Sequence, residues 1–214
     1  MIVACVRTGS EYGFDYVIKL RNMIRRHLSR DHEMVCMTDQ PERCDDVTFI
    51  DVVEAGLPGW WNKMLLFEPT WRGRSKVVYF HLDNILINDV TPLADAPGEF
   101  SILENPARRA GLDYPCKYSS SVMVIGGGQC GFIWSRFDHR RDWYIERSWR
   151  YGDQKAIELL YPEALFLQAL MPRDFFCNYR DLTMHPPKHA AVINFGGSHK
   201  PQVCAIPWVQ EAWQ

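Results

Sequence analysis

Residues 76–93 read KVVYFHLDNILINDVTPL, and the rest of the chain is organised around this stretch. The apolar run Val77 to Phe80 has the length and character of a strand buried on both faces. It stops at His81-Leu82-Asp83-Asn84 and resumes over Ile85 to Ile87. Asn88-Asp89 and Thr91-Pro92 then form turn-like pairs. The pattern predicts a buried strand, a polar tip and a short continuation. His81 and Asp83 are two apart, so on an extended backbone both side chains point to one side. An imidazole and a carboxylate so placed can hold a divalent cation or reach the counter-ion of a phosphate.

Upstream, Ile2 to Val6 reads as a strand, followed by a turn at Arg7-Thr8-Gly9-Ser10. Tyr16, Val17, Leu20, Met23, Ile24 and Leu28 fall at helical spacing, with Asp15 as the expected cap. Met34 to Met37 and Thr48 to Val53 read as the second and third strands. This alternation predicts an open, mostly parallel α/β sheet flanked by helices, whose ligands bind past the carboxyl ends of the strands. Gly59-Trp60-Trp61-Asn62-Lys63 opens a helix with Leu65, Leu66 and Phe67; taken alone, Lys63 is as well read as a solvated lysine. Downstream, Phe100 to Leu103 is an expected edge strand, 105–117 a loop, and Ser119 to Ile125 an apolar strand.

Gly126-Gly127-Gly128-Gln129-Cys130-Gly131 spells GxGxxG after that strand, and a helix-like segment follows from Phe132 to Trp149. Taken literally, this is a dinucleotide fingerprint, which would make the chain an NAD- or FAD-dependent oxidoreductase. The fingerprint normally closes the first strand of its unit, whereas here more than half the chain precedes it. The plainer reading is a glycine-rich turn.

With 214 residues, one domain over 1–214 is the expectation. A hydrophobic content of 47% against 23% charged residues is that of a globular core, not a disordered chain. The net charge of -2 gives no basic field for nucleic acid. Seven cysteines, an odd number without a CxxC pair, point to reduced thiols in a cytoplasmic setting. No signal peptide and no apolar run of membrane-spanning length is visible.

The central stretch resembles the heart of a GT-A nucleotide-sugar glycosyltransferase of the glycogenin-like, family-8 type and its bacterial relatives. Where those enzymes carry Tyr-Leu-Asp-x-Asp, this chain has Tyr79-Phe80-His81-Leu82-Asp83, then Ile85, Leu86, Asp89 and Leu93. The second acid of the family's aspartate-x-aspartate is kept and the first is a histidine. The likeness extends to Tyr12, Thr38-Asp39, Trp60-Trp61-x-Lys63, Ser119-Ser120-Ser121-Val122-Met123, Gly152-Asp153-Gln154 and the late Phe195, Gly197 and Lys200-Pro201. It ends in a closing helix around Trp208 to Trp213.

The resemblance implies a transferase that moves a sugar from a nucleoside-diphosphate sugar, commonly UDP-linked, to a glycan, protein or small-molecule acceptor, with retention at the anomeric carbon. It implies Thr8, Tyr12 and Asp39 at the base and ribose, and Lys63, Gly197 and Lys200 at the diphosphate. Ser120 would face the acceptor, and Asp153 and Gln154 the reacting sugar. Mn2+ or Mg2+ would sit on His81 and Asp83, with His199 as a third ligand, because the family's metal histidine is Gly196 here. These two departures leave a catalytically degenerate nucleotide-sugar-binding protein as the alternative.

Overall fold

The computed structural model describes residues 1–128, 130–197 and 199–214; Gln129 of the glycine-rich stretch and Ser198 lie outside the described residues. In chain order come β1 (Ile2–Arg7), α1 (Phe14–His27), β2 (Glu33–Thr38) and β3 (Thr48–Asp51). A 3-10 helix, Gly59–Phe67, leads to α2 (Pro69–Arg72), β4 (Val77–Phe80), β5 (Ile85–Leu86) and β6 (Phe100–Glu104). Next are α3 (Pro106–Arg109), β7 (Tyr118–Ile125), α4 (Gly131–His139), α5 (Arg141–Ser148) and α6 (Asp153–Leu160). The chain closes with β8 (Leu165–Phe166), α7 (Leu167–Leu170), β9 (Phe176–Asn178), β10 (Val192–Asn194) and α8 (Pro207–Ala212).

Among the described residues, seven strands form one sheet in the order β3-β2-β1-β4-β7-β6-β8. The first four are mutually parallel, and β7 runs antiparallel to both neighbours. The expected mostly parallel sheet flanked by helices is what forms. Its central strands β1 and β4 are apolar on both faces because both are covered. Val3, Cys5, Val78 and Phe80 pack with α1 and α8 residues, while Ile2, Ala4, Val77 and Tyr79 pack with the 3-10 helix, α4 and α6. The continuation after the tip leaves this sheet: β5 pairs with β10 in a three-stranded sheet, β5-β10-β9. No helix of the described residues is long and apolar enough to cross a membrane.

Several local expectations are corrected. Gly13, not Asp15, caps α1, and Asp15 sits in the first turn, where its charge suits the helix dipole. Phe100–Glu104 is an inner strand, since β8 adds outside it. The 105–117 segment contains α3, capped by Asn105. The helix expected over 132–149 breaks at Arg140 into α4 and α5.

The glycine fingerprint has a different explanation. It follows a strand antiparallel to both neighbours, so it opens no βαβ unit. A Cβ on Gly127 would stand 1.9 Å from the Arg74 carbonyl oxygen, and one on Gly126 3.0 Å from that of Glu99. These two glycines let backbone meet backbone. Gly127→Ala is therefore expected to destabilise the protein by about 3 kcal/mol, the upper end for forced overpacking. Urea denaturation checks this.

Candidate functional site

The polar tip projects from the carboxyl end of β4. The His81 amide donates to the Ser121 carbonyl at 2.8 Å, and the Asn84 amide closes a turn on the His81 carbonyl at 3.0 Å. The backbone is thus folded, not extended, over 81–84. The turn brings Asp83 Oδ1 to 2.6 Å from His81 Nδ1, so the two side chains bond to each other.

Asp83 is 1% exposed, which is costly for a carboxylate without partners. Its other oxygen, Oδ2, accepts from the Tyr12 hydroxyl at 3.0 Å and from Lys200 Nζ at 3.0 Å. Lys200 also donates to the Tyr12 oxygen and pairs with Glu11 Oε1 at 2.8 Å. Burial alone would raise the Asp83 carboxyl pKa; His81 and Lys200 outweigh it and hold the group well below the usual carboxylate range. Burial works against the Lys200 ammonium, but its bonds to Glu11 and Asp83 outweigh that and keep its pKa raised.

In the unfolded chain an aspartate titrates near about 3.9, and in the folded chain Asp83 titrates lower. Between those values the unfolded state binds more protons, so stability rises with pH and is lost as pH falls through that window. The urea midpoint is expected to drop as pH is lowered from about 5, and Asp83→Asn should flatten that limb. An unchanged slope in the variant would assign the acid sensitivity elsewhere.

A second cluster adjoins the first through β7, because Ser120 precedes the residue that holds the His81 amide. Lys63 Nζ donates to Ser120 Oγ at 2.9 Å and pairs with Asp153 Oδ1 at 2.8 Å. All three are buried, which removes the reading of Lys63 as a solvated lysine. Asp153 is the first residue of α6; Gly152 is the cap, so the carboxylate is free to face Lys63 instead of capping. Asp153 Oδ2 is buried and has no hydrogen-bond partner among the described residues. Gln154 beside it is half-buried. The buried Tyr79 phenol is pushed well up, first by burial and then, among other groups, by Asp153 and Asp83.

Thr8 and Asp39 lie past the ends of β1 and β2. Thr8 Oγ1 donates to the Gly59 carbonyl at 2.9 Å, and Asp39 Oδ2 accepts from the Gly9 amide at 2.9 Å. Arg7, 6% exposed, ties the two loops together by donating to the Tyr12 and Gln40 carbonyls.

The expected three-ligand metal set does not assemble. Among the described residues no three His, Cys, Asp or Glu side chains stand close enough to hold a metal ion. His199 is exposed, stacks on Tyr179 at 4.6 Å and bonds its hydroxyl through Nδ1 at 2.9 Å. His81 Nδ1 is engaged by Asp83, and both Asp83 oxygens are engaged. Position 196 is a glycine and offers no donor side chain. Gly197 takes the left-handed φ of +62° that turns the chain toward Lys200.

Two features of this region could not be read from the sequence. Glu11 holds Lys200 from a loop that no periodicity marks. Trp60 is 55% exposed, with its indole nitrogen 3.1 Å from where a Gly152 Cβ would lie. Its place in Trp-Trp-x-Lys was legible, but not that it stands open beside Asp153 while Trp61 is buried.

No family model and no curated protein matches the chain. Solved structures do. A galactosyltransferase, LgtC, solved in complex with donor and acceptor sugar analogs, matches with a TM-score of 0.69 at 14% identity, over 99% of this chain and 95% of its own. The glycosyltransferase GlyE of Streptococcus pneumoniae gives 0.71 at 12% identity, over 99% of this chain and 60% of its own. Mouse xyloside xylosyltransferase 1 gives 0.52 at 11% identity, over 89% of this chain and 96% of its own. The fold of this chain is therefore the GT-A fold seen in these glycosyltransferases.

Proposed function

We propose that residues 1–214 form one glycosyltransferase unit that moves a sugar from a nucleoside-diphosphate sugar, UDP-linked by resemblance, to an acceptor hydroxyl with retention. The observation that carries this reading is the pair of lysines seated on carboxylates at one end of a GT-A sheet, Lys200 on Asp83 and Lys63 on Asp153.

In the reaction, the bond between the anomeric carbon and the donor's phosphate oxygen breaks. Its electron pair goes to the phosphate, whose growing charge needs a nearby cation. Lys200 supplies one, fixed in place by Asp83 and Tyr12. The acceptor oxygen bonds to the anomeric carbon, and its proton passes to the departing phosphate. Asp153, seated on Lys63, is the carboxylate that the resemblance puts beside the electron-poor sugar, with Gln154 next to it. By resemblance, Thr8, Tyr12 and Asp39 belong to the base and ribose side and Ser120 to the acceptor side. The family's Mn2+ or Mg2+ site, expected on His81, Asp83 and His199, does not fit these side chains.

Slow release of free sugar from a UDP-sugar, abolished by Asp83→Ala or Lys200→Ala, is the expected result. Absence of any nucleotide-sugar binding, with or without Mn2+, would overturn the reading. A second reading, a binder without turnover, is favoured by His81 and Gly196 standing where the family has ligands. Tight binding across a sugar and acceptor panel with no hydrolysis would select it.

A further inference from the structure

We propose that this site holds the diphosphate of its ligand without a divalent cation, using Lys200 where a metal would otherwise stand. This rests on the reading above of the site as one for a nucleoside-diphosphate sugar.

A small divalent cation needs several hard oxygens around it, usually six for Mg2+. The tip supplies one buried carboxylate, and both its oxygens are taken. Oδ1 faces the His81 ring nitrogen at 2.6 Å. Oδ2 takes the Tyr12 hydroxyl and the Lys200 ammonium, each at 3.0 Å. A metal on Oδ2 would share that oxygen with a positive charge. A metal on Oδ1 would have to displace the His81 bond. Position 196 contributes nothing, and His199 is turned to Tyr179.

The same arrangement suits an anion well. Lys200 has three oxygen partners: Asp83 and Tyr12 are buried, while the Glu11 side chain is 57% exposed. The two buried partners fix where the ammonium sits. The exposed one is the partner that an incoming phosphate oxygen can replace at little cost, since a solvated ion pair is weak. Exchange of Glu11 for phosphate leaves the ammonium paired throughout, so no buried charge is stranded. Asp83 is then a positioning residue: it holds Lys200 and does not touch the ligand.

The test is titration calorimetry with two probes, UDP and inorganic pyrophosphate, against the full chain in EDTA and again in Mn2+. Affinity for both probes is expected to agree between the two buffers within about twofold, well under 1 kcal/mol. Glu11→Gln should bind pyrophosphate several-fold more tightly, and Lys200→Ala should lose binding in both buffers. Binding that appears only with Mn2+, or that Mn2+ strengthens by about tenfold or more, overturns the proposal while leaving the nucleotide-sugar reading intact. No binding of either probe in either buffer overturns both.

Discussion

Lys200→Ala is expected to lower turnover of a nucleoside-diphosphate sugar by about 10²–10³-fold, the loss usual when one preorganised charge-stabilising group is removed. Lys200 is the cation that the tip fixes: Asp83 and Tyr12 hold it from below, and Glu11 holds it from the open side. No other lysine or arginine pairs with Asp83 among the described residues. The variant also strips Asp83 of one partner, leaving His81 and the Tyr12 hydroxyl, so some stability goes with the activity. Circular dichroism and a urea midpoint separate the two effects. A folded variant that retains activity within about threefold of wild type would remove Lys200 from the chemistry, because 10²-fold is the least its proposed role allows.

The largest stability effect is expected at Lys63. Its ammonium and the Asp153 carboxylate are 8% and 5% exposed and 2.8 Å apart. Removing one member of such a pair strands the other charge away from water, which typically costs about 3–5 kcal/mol. Lys63→Met keeps the unbranched stem to within one atom and removes the charge, so the loss chiefly reports the stranded carboxylate and not a cavity. Adding Asp153→Leu should recover most of that loss, since well-packed apolar pairs often replace buried ion pairs without penalty. Urea unfolding of the single and double variants measures both. A loss below about 1 kcal/mol in Lys63→Met would mean that the pair is solvated like an ordinary surface bridge.

How much of this was legible in the sequence depended on the range of the interaction concerned. Val77 to Phe80 stood out because a strand covered on both faces has to be apolar at every position. The 3.6-residue spacing of Tyr16 to Leu28 marked α1 for an equally local reason. The motif residues were also legible, through resemblance, and Tyr12, Asp83 and Lys200 do meet.

Other features depended on partners that periodicity cannot name. Lys200 reaches Tyr12 across 188 positions of sequence. Glu11, Trp60 and the internal place of Phe100–Glu104 are set by such long-range contacts. His81 and Asp83 do stand side by side as expected, but a turn at 81–84, not an extended backbone, brings them there. That turn made the two side chains partners of each other instead of joint ligands. His199 was assigned by residue type alone, and Tyr179 engages it instead. The GxGxxG string matched in letters only; Gly127 is there because the Arg74 carbonyl leaves no room for a side chain.

A structure of the chain with UDP bound most directly tests whether the β4 tip is a nucleotide-sugar site. The expected density places the diphosphate within hydrogen-bond reach of Lys200 Nζ, with Glu11 moved off it and the base toward Thr8 and Asp39. A nucleotide found at the glycine turn after β7, or anywhere else away from Lys200, would contradict that assignment.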